Sequence, residues 1–150
     1  MIRRKLQSRR RGAALVETAI IMPIAFLLIL GTIVAGTGVY RYQQVATLAR
    51  EAARHAAVHG GQYAAESGLA ADTAATLLSD IIIPRGVGLG ESALTCTVSW
   101  NTNNYPYHLS ADNGAKITNT VSVTVSYAWL PEYFFGGLTL TSTSVMPMSY

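Results

Sequence analysis

Three sets of residues in this chain have the types and spacing for chemistry. The first is Glu17, a lone carboxylate between a basic arm and an uncharged run from Thr18 to Tyr40. A carboxylate at the start of a membrane span is costly and calls for a compensating partner. The headgroup layer at the first turn of a helix, where the backbone dipole favours an anion, is one place that tolerates it. The second set is Glu51, His55 and His59, which fall at four-residue intervals on a helical stretch, a spacing that can ligate a metal. The remaining histidine, His108, lies far away in a loop, and no His-Glu-x-x-His motif is present. Histidines near a helix end also complement the dipole. These residues therefore predict no metal site and no cofactor. The third is Cys96, the only cysteine. It leaves no intramolecular disulfide to form, so the fold rests on packing, and it reads as an inward residue of a strand.

Recognisable catalytic motifs are missing. There is no Gly-x-Ser-x-Gly and no pair of carboxylates in a known arrangement. The glycines of Arg85 to Gly90, RGVGLG, do not follow a strand, which argues against a phosphate loop. The outer part of the chain is poor in charge and rich in Thr and Ser, a composition that suits packing or assembly, and the expectation is a protein that is not an enzyme. The formal charge of +3 misleads. Arg3, Arg4, Lys5, Arg9, Arg10 and Arg11 supply six of the eleven basic residues, and from Ala13 onward the net is −3. A nucleic-acid surface needs cations spread over the folded domain, so no nucleic-acid partner is expected. The basic arm reads as a positive-inside signal, which keeps it in the cytoplasm and sends the C-terminal part across the membrane.

The order of the leader is the reverse of an ordinary secretory signal, whose small-residue cleavage site follows the apolar core. Here Gly12 precedes the apolar run. Scission between Gly12 and Ala13 would remove the cations and keep the hydrophobic segment, with Glu17 as the fifth residue of the mature chain. Basic leader, glycine, four small or apolar residues, glutamate and long apolar helix together resemble the type IV prepilin signal. That resemblance implies a prepilin peptidase as partner. It also implies that Glu17 neutralises the new α-amino group of Ala13, on its own or a neighbouring subunit, and so sets the register of packed helices.

Over Arg10 to Gly60 the chain resembles the TadE-like family, membrane-anchored pseudopilins of the tight-adherence (Flp) pilus machinery. The elements that carry the likeness are Arg10-Arg11-Gly12 followed by Ala14-Leu15-Val16-Glu17, Pro23 six residues after the glutamate, the Gly-rich end of the span, and the AREAAR run from Ala49 to Arg54. Further on the likeness is of pattern only: three strand-like runs, a V-x-V-x-Y segment and a Thr/Ser-rich ending. Thr18 is a departure, because many relatives carry an aromatic residue after the glutamate. The resemblance implies a minor pilin or pseudopilin, with other pilins of the same pilus, the inner-membrane assembly platform and membrane lipid as partners.

The elements that must position these residues follow from periodicity. The 23 uncharged residues from Thr18 to Tyr40 span roughly 34 Å as a helix, against ~30 Å of hydrocarbon. Residues 13–40 thus read as a transmembrane helix after a 1–12 leader. Pro23 should kink it. Gly31, Ala35 and Gly38 put small residues along one side for close helix approach. No Pro or Gly interrupts Arg41 to Val58, so the helix continues as the spine of an outer domain, 41–150, and stops near Gly60. Its apolar face is Val45, Leu48, Ala49, Ala52, Ala53, Ala56 and Ala57. Residues 62–67 read as a connector and about 68–83 as a second helix ended by Pro84. Alternation then predicts strands at about 93–100, 117–129 and 138–150, with a polar loop at 101–115 and a turn at Asp112-Asn113-Gly114. Pro147 restricts the end of the last strand. Tyr133, Phe134 and Phe135 cluster before Gly136, as a contact for a partner subunit or the membrane surface, or tucked under the sheet.

The expected fold is α+β: a long N-terminal transmembrane and spine helix, a second short helix, and a three-stranded antiparallel sheet packed on the spine. The expected location is the bacterial inner membrane, with the domain in the periplasm and a possible place in the pilus. A membrane-anchored binding or adhesion module using the same signal, with a Thr-rich sheet and aromatic loop as its ligand surface, is the alternative reading of the same residues.

Overall fold

The computed structural model describes residues 4–130 and 136–149, with side chains from Gly12 onward. Tyr133, Phe134 and Phe135 lie outside the described residues. The chain divides into two compact units, 1–39 and 40–150.

The first unit is helical throughout its described length and belongs to α1 (Arg4–Val58), which runs unbroken past Pro23. An 18-residue window of α1 reaches a mean hydropathy of 2.5, and none of it is buried. Leu15, Ile20, Phe26, Leu28 and Ile33 are all more than half exposed. A helix apolar on every side belongs in lipid or among other helices. The hydroxyls of Thr18, Thr32 and Thr37 each donate to the carbonyl four residues back, at 2.8–2.9 Å. No threonine hydroxyl in the span therefore carries an unsatisfied donor into hydrocarbon.

The second unit is an α+β domain in which a three-stranded antiparallel sheet, ordered β1-β4-β5, packs against α1. The strands are β1 (Leu94–Trp100), β4 (Thr120–Trp129) and β5 (Leu138–Pro147), with the short hairpin β2 (Tyr107–Leu109) and β3 (Lys116–Thr118) inserted between β1 and β4. The predicted apolar face of the helix, from Val45 to Ala57, is buried at every one of its seven positions. Val121, Val123, Val125 and Tyr127 of the central strand meet it, with Leu94 and Leu140 from the flanking strands. On the opposite face hydroxyls stand in register. Thr124 hydrogen-bonds Thr143 at 2.8 Å and Ser126 hydrogen-bonds Thr141 at 3.0 Å.

Helices after α1 depart from the expected boundaries. Residues 62–67, expected as a connector, lie in a helix, α2 (Gly61–Ser67). Gly68 ends it in the left-handed region at φ 72, so no helix can begin at 68 and run on. The second expected helix starts instead at α3 (Ala74–Leu77), where Thr73 and Thr76 form a reciprocal capping box. It passes through a π-helical stretch (Leu78–Ile82) into α4 (Ile83–Arg85) and stops at Gly86, so Pro84 does not end it. In a regular α-helix a proline ring clashes with the carbonyl four residues back. The wider π register immediately before Pro84 relieves that clash. Leu77, Ile81 and Ile82 enter the core as their spacing predicts.

The strands hold their predicted faces with three corrections. The 101–115 segment contains β2, which pairs with β3 across a turn where Gly114 takes φ 67. The 117–129 run is broken at Asn119, which separates β3 from β4. Asn119 is fully buried, and its side chain is completely used. Its Oδ1 accepts from His108 Nδ1 at 2.6 Å, and its Nδ2 donates to Asn103 Oδ1 at 2.6 Å and to the Tyr105 carbonyl at 2.9 Å. Its backbone N–H donates to the Pro106 carbonyl, and its carbonyl accepts from Met148. β5 ends at Pro147, short of 150. Asn119→Ala removes three hydrogen bonds whose other partners, on His108, Asn103 and Tyr105, stay within reach of water, a net loss of about 0.5–1.5 kcal/mol each. It is expected to lower the melting temperature of the domain, followed by near-UV circular dichroism of Trp100 and Trp129, by about 10 °C. A shift of less than about 2 °C would mean that the loop is held by other contacts.

Candidate functional site

The residues predicted to act in processing and helix packing all lie on the first part of α1. Gly12, Ala13 and Glu17 are exposed on helix, and Glu17 makes no ion pair among the described residues. A Cβ added at Gly12 or Gly31 would meet nothing within 4 Å. Ala35 is exposed and Gly38 half-buried. Within one chain, then, Glu17, Gly31 and Ala35 stand exposed on this surface. Pro23 is accommodated within the helix.

A second constellation forms at the end of α1 (Arg4–Val58). His55 and His59 stack with ring centroids 3.9 Å apart and 8° between planes, and Tyr63 meets His59 edge-on. The expected third member, Glu51, turns away and pairs with Arg85 at 3.0 Å. Its place is taken by Asp72, whose Oδ2 lies 2.6 Å from His55 Nδ1. Three features of the chain bring Asp72 there. Gly68 ends α2 and turns the chain back. The Asp72 backbone N–H donates to the His59 carbonyl at 3.0 Å. Thr73 then starts α3 through its cap. His59 Nδ1 lies 3.0 Å from the His55 carbonyl. Donor atoms of His55, His59 and Asp72 all lie within 4.8 Å of one another. Both rings line an open cleft of about 370 Å³ with Glu51, Arg54, Val58, Ile81 and Arg85. His108 is not part of this group, because Asn119 holds it elsewhere.

Asp72 and Asn119 were not among the residues singled out from spacing. For Asp72 a signal existed: a glycine followed by Asp72-Thr73 ahead of an apolar-periodic run is a helix stop and a helix start. For Asn119 none did, since one asparagine inside an alternating run looks like any outward polar residue.

Cys96 sits half-buried on the inward side of β1, against the core. Burial pushes its thiol up to about 11, against an ordinary 9.0. It therefore packs against the core and is protonated at neutral pH.

Residues 12–54 match the model of the family described as TadE-like protein. The match lies within Arg10 to Gly60, the segment that carries the resemblance, and begins at the glycine of the leader junction. It is consistent with a pilus-associated protein of the tight-adherence system, and the long apolar helix is a candidate membrane anchor. No curated protein and no solved structure matches the chain.

The raised thiol has a direct consequence. At pH 8 the native protein should react with a disulfide reagent at least about tenfold more slowly than the urea-unfolded chain, because the attacking species is the thiolate. Equal rates would show that Cys96 is open to solvent in the native state.

Proposed function

We propose that this chain is a minor pilin or pseudopilin for assembly of a tight-adherence pilus, cut after Gly12 by a prepilin peptidase. Its 13–40 segment holds it in the bacterial inner membrane, the basic arm is cytoplasmic until removed, and the 41–150 domain is periplasmic. The role is structural and not enzymatic. The observation that carries this reading is the extent of the family match, 12–54. It leaves out the basic arm, starts at the predicted junction, and runs through the apolar span into the spine.

The physical mechanism is helix packing. In the first unit the side chains from Leu15 to Ile33 are exposed in a single chain, so their natural surroundings are lipid and the equivalent helices of other pilins. Gly31, Ala35 and Gly38 let such helices approach closely. Glu17 is the one acidic side chain on that surface. Paired with an α-amino group in a low-dielectric setting, it is worth far more than in water. A helix out of register loses that pair and leaves a desolvated charge, which discriminates between docking positions. The domain beyond Tyr40 then faces the assembly platform or the other subunits of the pilus.

Coexpression with a prepilin peptidase, followed by mass spectrometry of the intact protein, tests the reading. The expected mature chain begins at Ala13. A chain that still begins at Met1 in a piliated cell overturns it. Glu17→Gln is expected to be processed normally and yet to abolish pili, whereas normal piliation by this variant would remove Glu17 from the register role.

A further inference from the structure

We infer that His55 and His59 form a binding site for a divalent transition-metal ion of the zinc type, with Asp72 as the carboxylate that orients His55. The argument starts from the protons on the two rings. A backbone carbonyl can only accept, so at 3.0 Å from the His55 carbonyl the Nδ1 of His59 must carry hydrogen. An ionised carboxylate can only accept as well, so Nδ1 of His55, 2.6 Å from Asp72 Oδ2, also carries hydrogen. In a neutral imidazole the other nitrogen then holds the lone pair. Each ring in its neutral form therefore takes the same tautomer, with Nε2 as the free donor atom. Neither Nε2 has a hydrogen-bond partner among the described residues.

This is the arrangement metal-ligating histidines use: one nitrogen on the ion, the other donating to a carboxylate or a carbonyl. The spacing suits a shared ion. Residues four apart lie on one face of a helix, and stacked centroids at 3.9 Å keep the two rings side by side. One ion bound to both Nε2 atoms at about 2.0–2.1 Å requires the two rings to tilt out of their parallel stack while each keeps its Nδ1–H on the same acceptor. The charge of the cleft does not oppose a cation. Arg85 is paired with Glu51, and the Asp72 carboxylate beside His55 adds a negative charge next to the cleft that also holds Arg54. Two imidazoles select zinc, copper or nickel over magnesium and calcium, which prefer oxygen. They also leave coordination positions toward the cleft for water or for a side chain from another protein.

The site falls outside the matched 12–54 segment and does not depend on the pilus reading. Its test uses the full chain in detergent micelles, without a histidine tag, titrated with Zn²⁺ alone by calorimetry at pH 7.5. One ion per chain is expected to bind. His55→Gln or His59→Gln should abolish the heat while leaving circular dichroism unchanged, since glutamine is a good helix former. Asp72→Asn should weaken binding by about 10–100-fold, the usual effect of losing such an orienting carboxylate. His108→Gln should change nothing. Lowering the pH of the unaltered protein to 5 should also release the ion, because protons compete for imidazole lone pairs; this arm needs no variant to fold. No heat with the unaltered chain, or binding that survives His55→Gln and His59→Gln, overturns the inference.

Discussion

Alanine on the inner face of α1 sets how the outer domain can be built. Ala49, Ala52, Ala53, Ala56 and Ala57 are all buried, and a methyl group is the largest thing any of them puts between helix and sheet. The sheet must therefore come close, and what fills the gap comes from the other side: Val121, Val123 and Val125 of β4, each fully buried. β-branched residues on a central strand suit a pleated surface, and alanine suits a helix, so local preference and tertiary packing agree. The same geometry leaves little room for larger side chains at these helix positions, since inserting extra carbon into a filled core forces strain.

A long helix also ends somewhere, and its last carbonyls need partners. Here the fold closes on them. The His55 carbonyl accepts from the backbone and ring of His59, the Ala57 carbonyl from Ser149, and the His59 carbonyl from Asp72. Gly61 donates to the Asn104 carbonyl, and a Cβ at Gly61 would meet Asn104 Oδ1 at 2.7 Å and the Tyr105 ring at 3.0 Å, so a larger residue there must push both side chains aside. The end of β5, the return from α2 and the 101–106 loop are thus all tied at or beside the C-terminal end of α1. His55 is oriented by Asp72 from the return after α2, whereas His59 is held by the His55 carbonyl of its own segment.

The parts of the fold legible in the chain were those with sustained period. The helical face from Val45 to Ala57 and the alternation of β1, β4 and β5 emerged as read, because each is repeated over many residues and burial enforces it. Boundaries were harder. Gly68 looked like the start of a helix but serves as a left-handed stop, and Pro84 looked like a stop but follows a π-helical stretch that admits it. Both depend on backbone conformations that side-chain periodicity does not record. The candidate site was half legible. Four-residue spacing placed His55 and His59 on one face, while their carboxylate proved to be Asp72, thirteen positions after His59. Glu51 had the right spacing and a better offer from Arg85. Spacing within one helix cannot report what a later segment brings alongside it.

The extent of the family match sharpens a division of labour along the chain. It stops at Arg54, inside α1 and one residue before His55. The matched segment is therefore the apolar helix, exposed in a single chain, and the beginning of the spine, where Val45, Leu48, Ala49, Ala52 and Ala53 are buried against the domain. Everything that organises the helix end lies beyond it: the histidine pair, the α2 detour, the capping box at Thr73 and the Asn119 joint. An anchor that packs among like helices is constrained by its neighbours along its whole length, whereas a domain held to its own helix by internal contacts is constrained mainly by itself. The cleft beside His55 and His59 rests on the second kind of constraint, because the return from α2 sets Asp72 against His55.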